Sequence, residues 1–231
     1  MTVAHDANTR FPTTGDTYDT TTGSRTFNHT PTGTPKGVVC VVMNQTVTTA
    51  VVSGVLYGDV NMTLSAVATD TSEVGRIEVY TLTDSAIPTG VQVVTLLECT
   101  ATSKWCAVST VTAATLRTTV NASNAVNTTT AANPTMTITT TASTLAYCGF
   151  HGGASALTSY VAGAGVTNQN SGDYGALVSR SARRSSQDAA GSVVFSWTYA
   201  TSDDYCIAGV ALAERADATE FIPDLAMAPH R

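Results

Sequence analysis

The chain has 231 residues, of which 12 % are charged, against about a quarter in an ordinary globular chain, while 43 are threonine. Threonine is β-branched and stiff at its first side-chain torsion, so a Thr- and Val-rich chain poor in Lys and Glu excludes a helical bundle and predicts an all-β fold. Eleven bases against seventeen acids leave a net charge of −6 with no basic stripe, which excludes nucleic acid as a partner, and no apolar stretch approaches the length of a membrane span.

Residues 1–25 are polar, with isolated apolar anchors at Phe11 and Tyr18. They read as an extended N-terminal arm that is either unordered or ordered against a neighbouring subunit. Met1 to Arg10 holds no apolar run of the secretory kind, so export is not expected. From residue 26 short β-rich runs recur at intervals of roughly ten residues, punctuated by Gly, Pro and Asn, the pattern of a sandwich. Strands are expected at 25–30, 37–44, 50–57, 62–68, 76–83, 90–98 and 104–112. Later ones are expected at 118–122, 135–141, 143–150, 159–162, 175–179, 192–200 and 205–213.

The run Val38-Val-Cys-Val-Val-Met43 is apolar on both faces and predicts a strand buried on both sides. Arg76 to Leu82 alternates, with Ile77, Val79 and Thr81 on one face and Glu78, Tyr80 and Leu82 on the other, which predicts that one face is wet or partner-bound. Ile87-Pro-Thr-Gly90 and Tyr57-Gly-Asp59 read as turns. Leu212 to Thr219 has room for a turn or two of helix, and no repeat of 20 to 50 residues is visible. The last segment, 214–231, reads as a docking tail. Its cluster Phe221, Ile222, Leu225 and Met227 needs a surface to bury on, in its own domain or in another subunit.

The fold class that follows is an antiparallel β-sandwich of jelly-roll or concanavalin-like kind over residues 26–213, flanked by the arm and the tail. Of the five cysteines, most are expected as buried thiols acting as small apolar side chains. Cys99 and Cys106 would face each other if Thr100 to Lys104 were a hairpin turn, leaving a disulfide open. Trp105 and Trp197, each inside a strand, are expected in the core. The Asn-X-Ser/Thr triplets at Asn28, Asn44, Asn61, Asn121 and Asn127 follow from the threonine content and carry little weight without an export signal.

No catalytic constellation is present. Glu73 and Glu78, five residues apart, would point to opposite faces of a strand and read as a loop carboxylate and an outward strand carboxylate. Cys148-Gly-Phe-His151 lacks a second ligand pair, so no metal is expected and His151 reads as a loop or capping residue. Asn168 to Asp173 offers one carboxylate and reads as a polar loop rather than a calcium site. Arg180, Arg183 and Arg184 form the only basic cluster, either a solvated loop or a fork for carboxylates on a partner.

Three blocks carry a likeness: Thr26-Phe-Asn-His-Thr-Pro-Thr-Gly-Thr-Pro-Lys-Gly-Val-Val39, Val55-Leu-Tyr-Gly-Asp-Val-Asn-Met-Thr63, and Val74-Gly-Arg-Ile-Glu-Val-Tyr80 leading to Ile87-Pro-Thr-Gly-Val-Gln92. In these the chain resembles a family of β-sandwich minor structural proteins of tailed bacteriophages and prophages, over roughly residues 26 to 213. It departs from that pattern in the long Thr-rich arm and in the tail from Ala216. The resemblance implies a non-enzymatic accessory protein of the virion, without cofactor or catalytic residue. The expected role is a capsid decoration (cement) protein assembled in the host cytoplasm. Its partners would be the major capsid protein, other virion proteins or copies of itself, held through Phe11, Tyr18, the three arginines and the tail cluster. The alternative is a tail-associated receptor- or glycan-binding module, which would need an exposed aromatic platform of Trp105, Trp197, Tyr80, Tyr174 and Tyr199. A sandwich hydrolase would need two carboxylates converging in a cleft.

Overall fold

The computed structural model describes residues 3–13, 18–44, 47–72, 75–83, 87–100, 103–113, 116–117, 120–153, 161–174, 177–199 and 202–215. Among them there is no helix, and hence none long and apolar enough to cross a membrane. The described residues form seventeen strands in four antiparallel sheets.

The first nine strands are β1 (Ala4–Phe11), β2 (Gly23–His29), β3 (Gly37–Asn44), β4 (Gly54–Tyr57), β5 (Val60–Asn61), β6 (Thr63–Asp70), β7 (Gly75–Thr83), β8 (Gln92–Cys99) and β9 (Lys104–Thr112). They build a five-stranded sheet of order β1-β9-β3-β7-β6 and a four-stranded sheet of order β2-β8-β4-β5. This is jelly-roll order, with β6 added beside β7. Gly58 and Asp59, at φ of 52° and 64°, close the β4–β5 hairpin, the left-handed pair that a two-residue turn of this kind requires.

The remaining strands are β10 (Ala122–Ala131), β11 (Thr135–Thr140), β12 (Thr144–Gly152), β13 (Val161–Ala162), β14 (Val166–Tyr174), β15 (Leu177–Arg184), β16 (Gly191–Thr198) and β17 (Asp203–Ala213). Their sheets are β10-β17-β12-β15-β14 and β11-β16-β13. Strand for strand this repeats the first order, with β10 in the place of β1, β12 of β3, β15 of β7 and β17 of β9. The single sandwich expected over 26–213 is thus two sandwiches of one topology.

Three apolar cores separate the four layers. Val38, Cys40 and Val42 of β3 pack with Phe27, Val55, Tyr57, Val94 and Leu96 inside the first sandwich. Ala146, Cys148 and Phe150 of β12 pack with Ile138, Val193, Phe195 and Trp197 inside the second. The third core is the seam between the two five-stranded sheets, where Val39, Val41 and Met43 meet Tyr147, Ala208, Val210 and Leu212. Every residue of β3 is therefore buried, as its two-faced apolar run predicts. Burying each such side chain contributes about 1.5–3 kcal/mol. Gly149 lets the sheets close: a Cβ there would stand 2.6 Å from Ile77 Cγ2 and 2.7 Å from Val41 Cγ1.

The seam has approximate twofold character. Gln169 of β14 bonds His5 of β1 at one edge, and Asn127 of β10 accepts from the Thr69 N–H of β6 at the other. Exchanging β1 with β10 and β14 with β6 turns one contact into the other, as in an interface between like surfaces.

Several expectations change. Residues 4–11 are not an arm but β1, an edge strand paired with β9 from Ala4↔Thr112 to Phe11↔Cys106. Asn168 to Asp173 lies within β14, and Arg180, Arg183 and Arg184 lie on β15 rather than in a loop. The Glu78 face of β7 is not wet, because the second sheet covers it. Strand β17 runs through Ala213, where a helical turn was expected to begin. All five cysteines are free and buried; Cys99 and Cys106 lie on β8 and β9, in different sheets, so no hairpin joins them.

Candidate functional site

Adjacent side chains of a strand point to opposite faces, and this decides what each polar residue meets. On β12, Leu145, Tyr147, Gly149 and His151 face the seam, whereas Cys148 faces the core of the second sandwich. Cys148 and His151 therefore diverge and cannot share a metal. Among the described residues no group of three or more potential metal ligands converges.

The richest polar cluster lies at the edge of the seam where β1 and β9 face β14 and β15. Ser109 Oγ donates to Gln169 Oε1 at 3.1 Å, and the Gln169 amide nitrogen donates to His5 Nε2 at 3.1 Å. With Nε2 accepting, His5 Nδ1 is left to donate to the Tyr147 hydroxyl, 3.1 Å away. Tyr147 is paired directly with Arg183 across β12 and β15, so both side chains share the seam face. Burial, with the nearby Arg183 charge, lowers His5 to a pKa of about 4, against the opposing pull of Asp6. Tyr147 is raised well above the ordinary phenol value by burial, so it remains an O–H donor.

Behind this cluster Asp6 anchors the segment between β2 and β3. Its carboxylate accepts from the Gly33 N–H at 2.8 Å, from the Thr110 hydroxyl at 2.9 Å, and from the Thr32 hydroxyl. Burial works to raise its pKa, but these hydrogen bonds hold the carboxyl below the usual value. His29 lies between Thr9 and Thr110, and burial lowers it to about 4.

The cluster opens to a cavity of about 360 Å³ lined by Val3, His5, Leu145, Arg183, Ser186 and Gln187, with Ala4 and Ser185 completing it. Arg183 Nη1 donates to the carbonyls of Arg184 and Ser185, while its Nε–H is buried with no hydrogen-bond acceptor among the described residues. The twofold-related mouth, about 320 Å³, is lined by Thr63, Leu64, Ser65, Thr81, Leu82 and Val120 and carries no charge. Register makes the correspondence concrete: Thr81 pairs with seam residue Val39 as Arg183 pairs with seam residue Tyr147.

At the far end of the seam His151 is fully buried, not a loop residue. Its Nδ1 lies 3.3 Å from Ser179 Oγ, and its ring lies against Gly75, where a Cβ would come within 2.5 Å of Nε2. Burial lowers it to about 4, opposed by the Asp70 carboxylate. Ser179, His151 and Asp70 are chemically a nucleophile, a base and an acid, but each is buried to within 1 % of full burial, so no substrate can reach the hydroxyl.

The residues expected to bind a partner separate into distinct environments. Phe11 stacks on Phe27 with ring centroids 5.2 Å apart, and Tyr18 packs against the seam core. Both are thus used inside their own chain. Arg180 is buried on the opposite face of β15 from Arg183. Arg184 is held by Asp188 at 2.8 Å and by the carbonyls of Ala164 and Val194. The three arginines are therefore no single fork. Phe221, Ile222, Leu225 and Met227 lie outside the described residues. Glu78, expected outward, is buried, ion-paired with Arg76 at 2.7 Å and accepting from the Tyr80 hydroxyl at 3.0 Å; Glu73 lies outside the described residues.

Sequence reasoning missed His5, Tyr147 and Gln169 because nothing local marks them. They meet only when β1, β12 and β14 are brought together. Comparison of the chain with protein-family models, with curated proteins and with solved structures gives no match.

Proposed function

We propose that the protein is a non-enzymatic structural component of a tailed-phage virion, a decoration protein packed against the capsid and against its own copies. The observation that carries the reading is one of the two outer sheets, β11-β16-β13, which contains no charged residue. Its outward positions are Thr135, Thr137, Thr139, Ser192, Val194 and Thr198, all exposed. A flat face of hydroxyls and small apolar groups packs against protein without the desolvation cost that buried Lys or Glu would carry. The resemblance of the 26–92 blocks to phage virion proteins supplies the class of partner.

The interior supports the non-enzymatic part of this reading. Trp105, Trp197 and Tyr80 are buried and Tyr199 is half-buried, which counts against the glycan-binding alternative for these four rings, while the Tyr174 side chain lies outside the described residues. Glu78, the one described residue of the glutamate pair, is spent in a buried ion pair.

Quantitative mass spectrometry of purified virions tests the reading. Hundreds of copies per particle are expected. A handful of copies would place the protein on the tail or portal, and its absence from particles would overturn the proposal.

A further inference from the structure

We infer that the outward face of the β2-β8-β4-β5 sheet is a self-association surface, on which a second copy of this chain packs face to face about a twofold axis.

Strand alternation and register define the face. Thr26, Thr95, Leu56 and Asn61 lie opposite one another in a single row across all four strands, and they point away from the core that Phe27, Val55, Val94 and Leu96 fill. On β8 the outward neighbours of Thr95 are Val93 and Leu97, so Leu56 stands diagonally between them and the three form an apolar centre. Val93 is 47 % exposed and Val91, at the entry to β8, is 61 % exposed. Among the described residues large apolar side chains are as open to solvent only at Leu64, Val161 and Val194.

The absence of charge on this face decides the occupant. Arg25 turns to Asp19 at 3.3 Å, Asp59 lies in the β4–β5 turn, and Glu98 lies near the end of β8. About a twofold axis each group near the centre meets its own copy. A fixed charge there would face itself, whereas a hydroxyl or amide both donates and accepts and so pairs with its own kind. A face of Thr, Asn and apolar side chains is therefore complementary to itself, and it offers nothing to a basic or acidic partner. The seam is the precedent within the chain, since two five-stranded sheets of like order pack face to face there about an approximate twofold. The sheet is narrow at one side, with β4 and β5 contributing four and two residues, so a weak and concentration-dependent pair is expected.

The inference does not rest on the virion reading, whose observation is the opposite outer sheet. The test is sedimentation equilibrium of the whole chain at low salt over a concentration series, with the thermal midpoint of each variant as the check on folding. A monomer–dimer equilibrium is expected. Val93→Lys should weaken it at least about tenfold, while Val194→Lys, the same exchange on the β11-β16-β13 face, leaves it unchanged. Thr95→Lys and Thr95→Glu, in the central row, should each weaken the dimer, and an equimolar mixture of the two should associate more tightly than either alone, because the facing surfaces then carry opposite charges. Should the Thr95 variants fail to fold, Val93→Lys and Val93→Glu, at an exposed position, are mixed instead. A chain that stays monomeric up to about 1 mM, an undiminished dimer in Val93→Lys, or an equal loss in Val194→Lys would each overturn the assignment. A mixture that pairs no better than its components would overturn the like-on-like arrangement.

Discussion

Both cores mix aromatic and aliphatic side chains, but the first sets Phe27, Tyr57 and Tyr80 among many valines such as Val38, Val42, Val55 and Val94, whereas the second groups Phe150, Phe195, Trp197 and Tyr205 together. The strand order is nevertheless the same in both. The aromatic core needs a closer contact geometry, with the Phe150 and Trp197 rings stacked at 4.7 Å. It also closes under an outer sheet of only three strands rather than four. One topology therefore tolerates two different fillings, because backbone pairing sets the layers and the side chains need only match the volume between them. The two seam mouths teach the same lesson at smaller scale: a shared position is Thr81 in one and Arg183 in the other, and that exchange alone separates an uncharged groove from a cationic one.

The largest expected difference between the sandwiches comes from Trp197→Ala, which removes a fully buried ring stacked on Phe150 and Phe195. A loss of about 3–5 kcal/mol in urea unfolding is expected, against about 1–2 for Val94→Ala in the first sandwich. Equal losses would show that the two cores carry equal weight.

Acidification is expected to act next, and on the seam. His151 has its folded pKa lowered from 6.5 to about 4, so the unfolded chain binds the extra proton first. Stability is full above pH 6.5 and falls as the pH drops from 6.5 towards 4, by about 3 kcal/mol at most for this one buried ring. His5, also lowered to about 4 but only half-buried, adds a smaller amount over the same range. Measuring unfolding free energy at pH 7 and pH 4.5 should show a smaller drop in His151→Asn than in the wild type. An identical drop would remove His151 as the source.

Gly149→Ala sits on the seam itself. The added methyl meets Ile77, Val41 and Met43, so a destabilisation of about 1–3 kcal/mol is expected, with Trp105 fluorescence moving more than Trp197 fluorescence because only Trp105 lies in the seam core. The smallest effect is expected at the outer sheet. Thr137→Lys should change stability by less than about 0.5 kcal/mol, since the side chain is exposed, yet weaken capsid binding measurably in a co-sedimentation assay. Full binding by this variant would detach the outer face from the proposed function.

Much of the fold was legible because two-faced apolar runs and turn residues are local signals. The runs 37–44 and 104–112 match β3 and β9 closely, and the Ile87 to Gly90 turn ends one residue short of the segment leading into β8. The polar strands were not legible. Val166 to Tyr174 reads Thr-Asn-Gln-Asn-Ser-Gly-Asp and looks like a loop, yet it is the edge strand beside β15, held by backbone pairing that asks nothing of its side chains. The duplication was hidden for a related reason. Ala101-Thr-Ser-Lys-Trp-Cys106 and Ala200-Thr-Ser-Asp-Asp-Tyr-Cys206 look alike, but Cys106 faces the core of its own sandwich and Cys206 faces the seam, so the likeness is one residue out of structural register.

Low charge and abundant threonine determined that this protein is all-β and antiparallel, because stiff β-branched side chains and period-two apolar patterning favour strands wherever they fall in the chain. Only the tertiary structure decided that there are two sandwiches rather than one, that residues 4–11 close a sheet instead of reaching outward, and that His5 and Arg183 share one mouth. Those facts depend on pairings between segments far apart in the chain, and strand propensity says which segments can pair but not which partner each one takes.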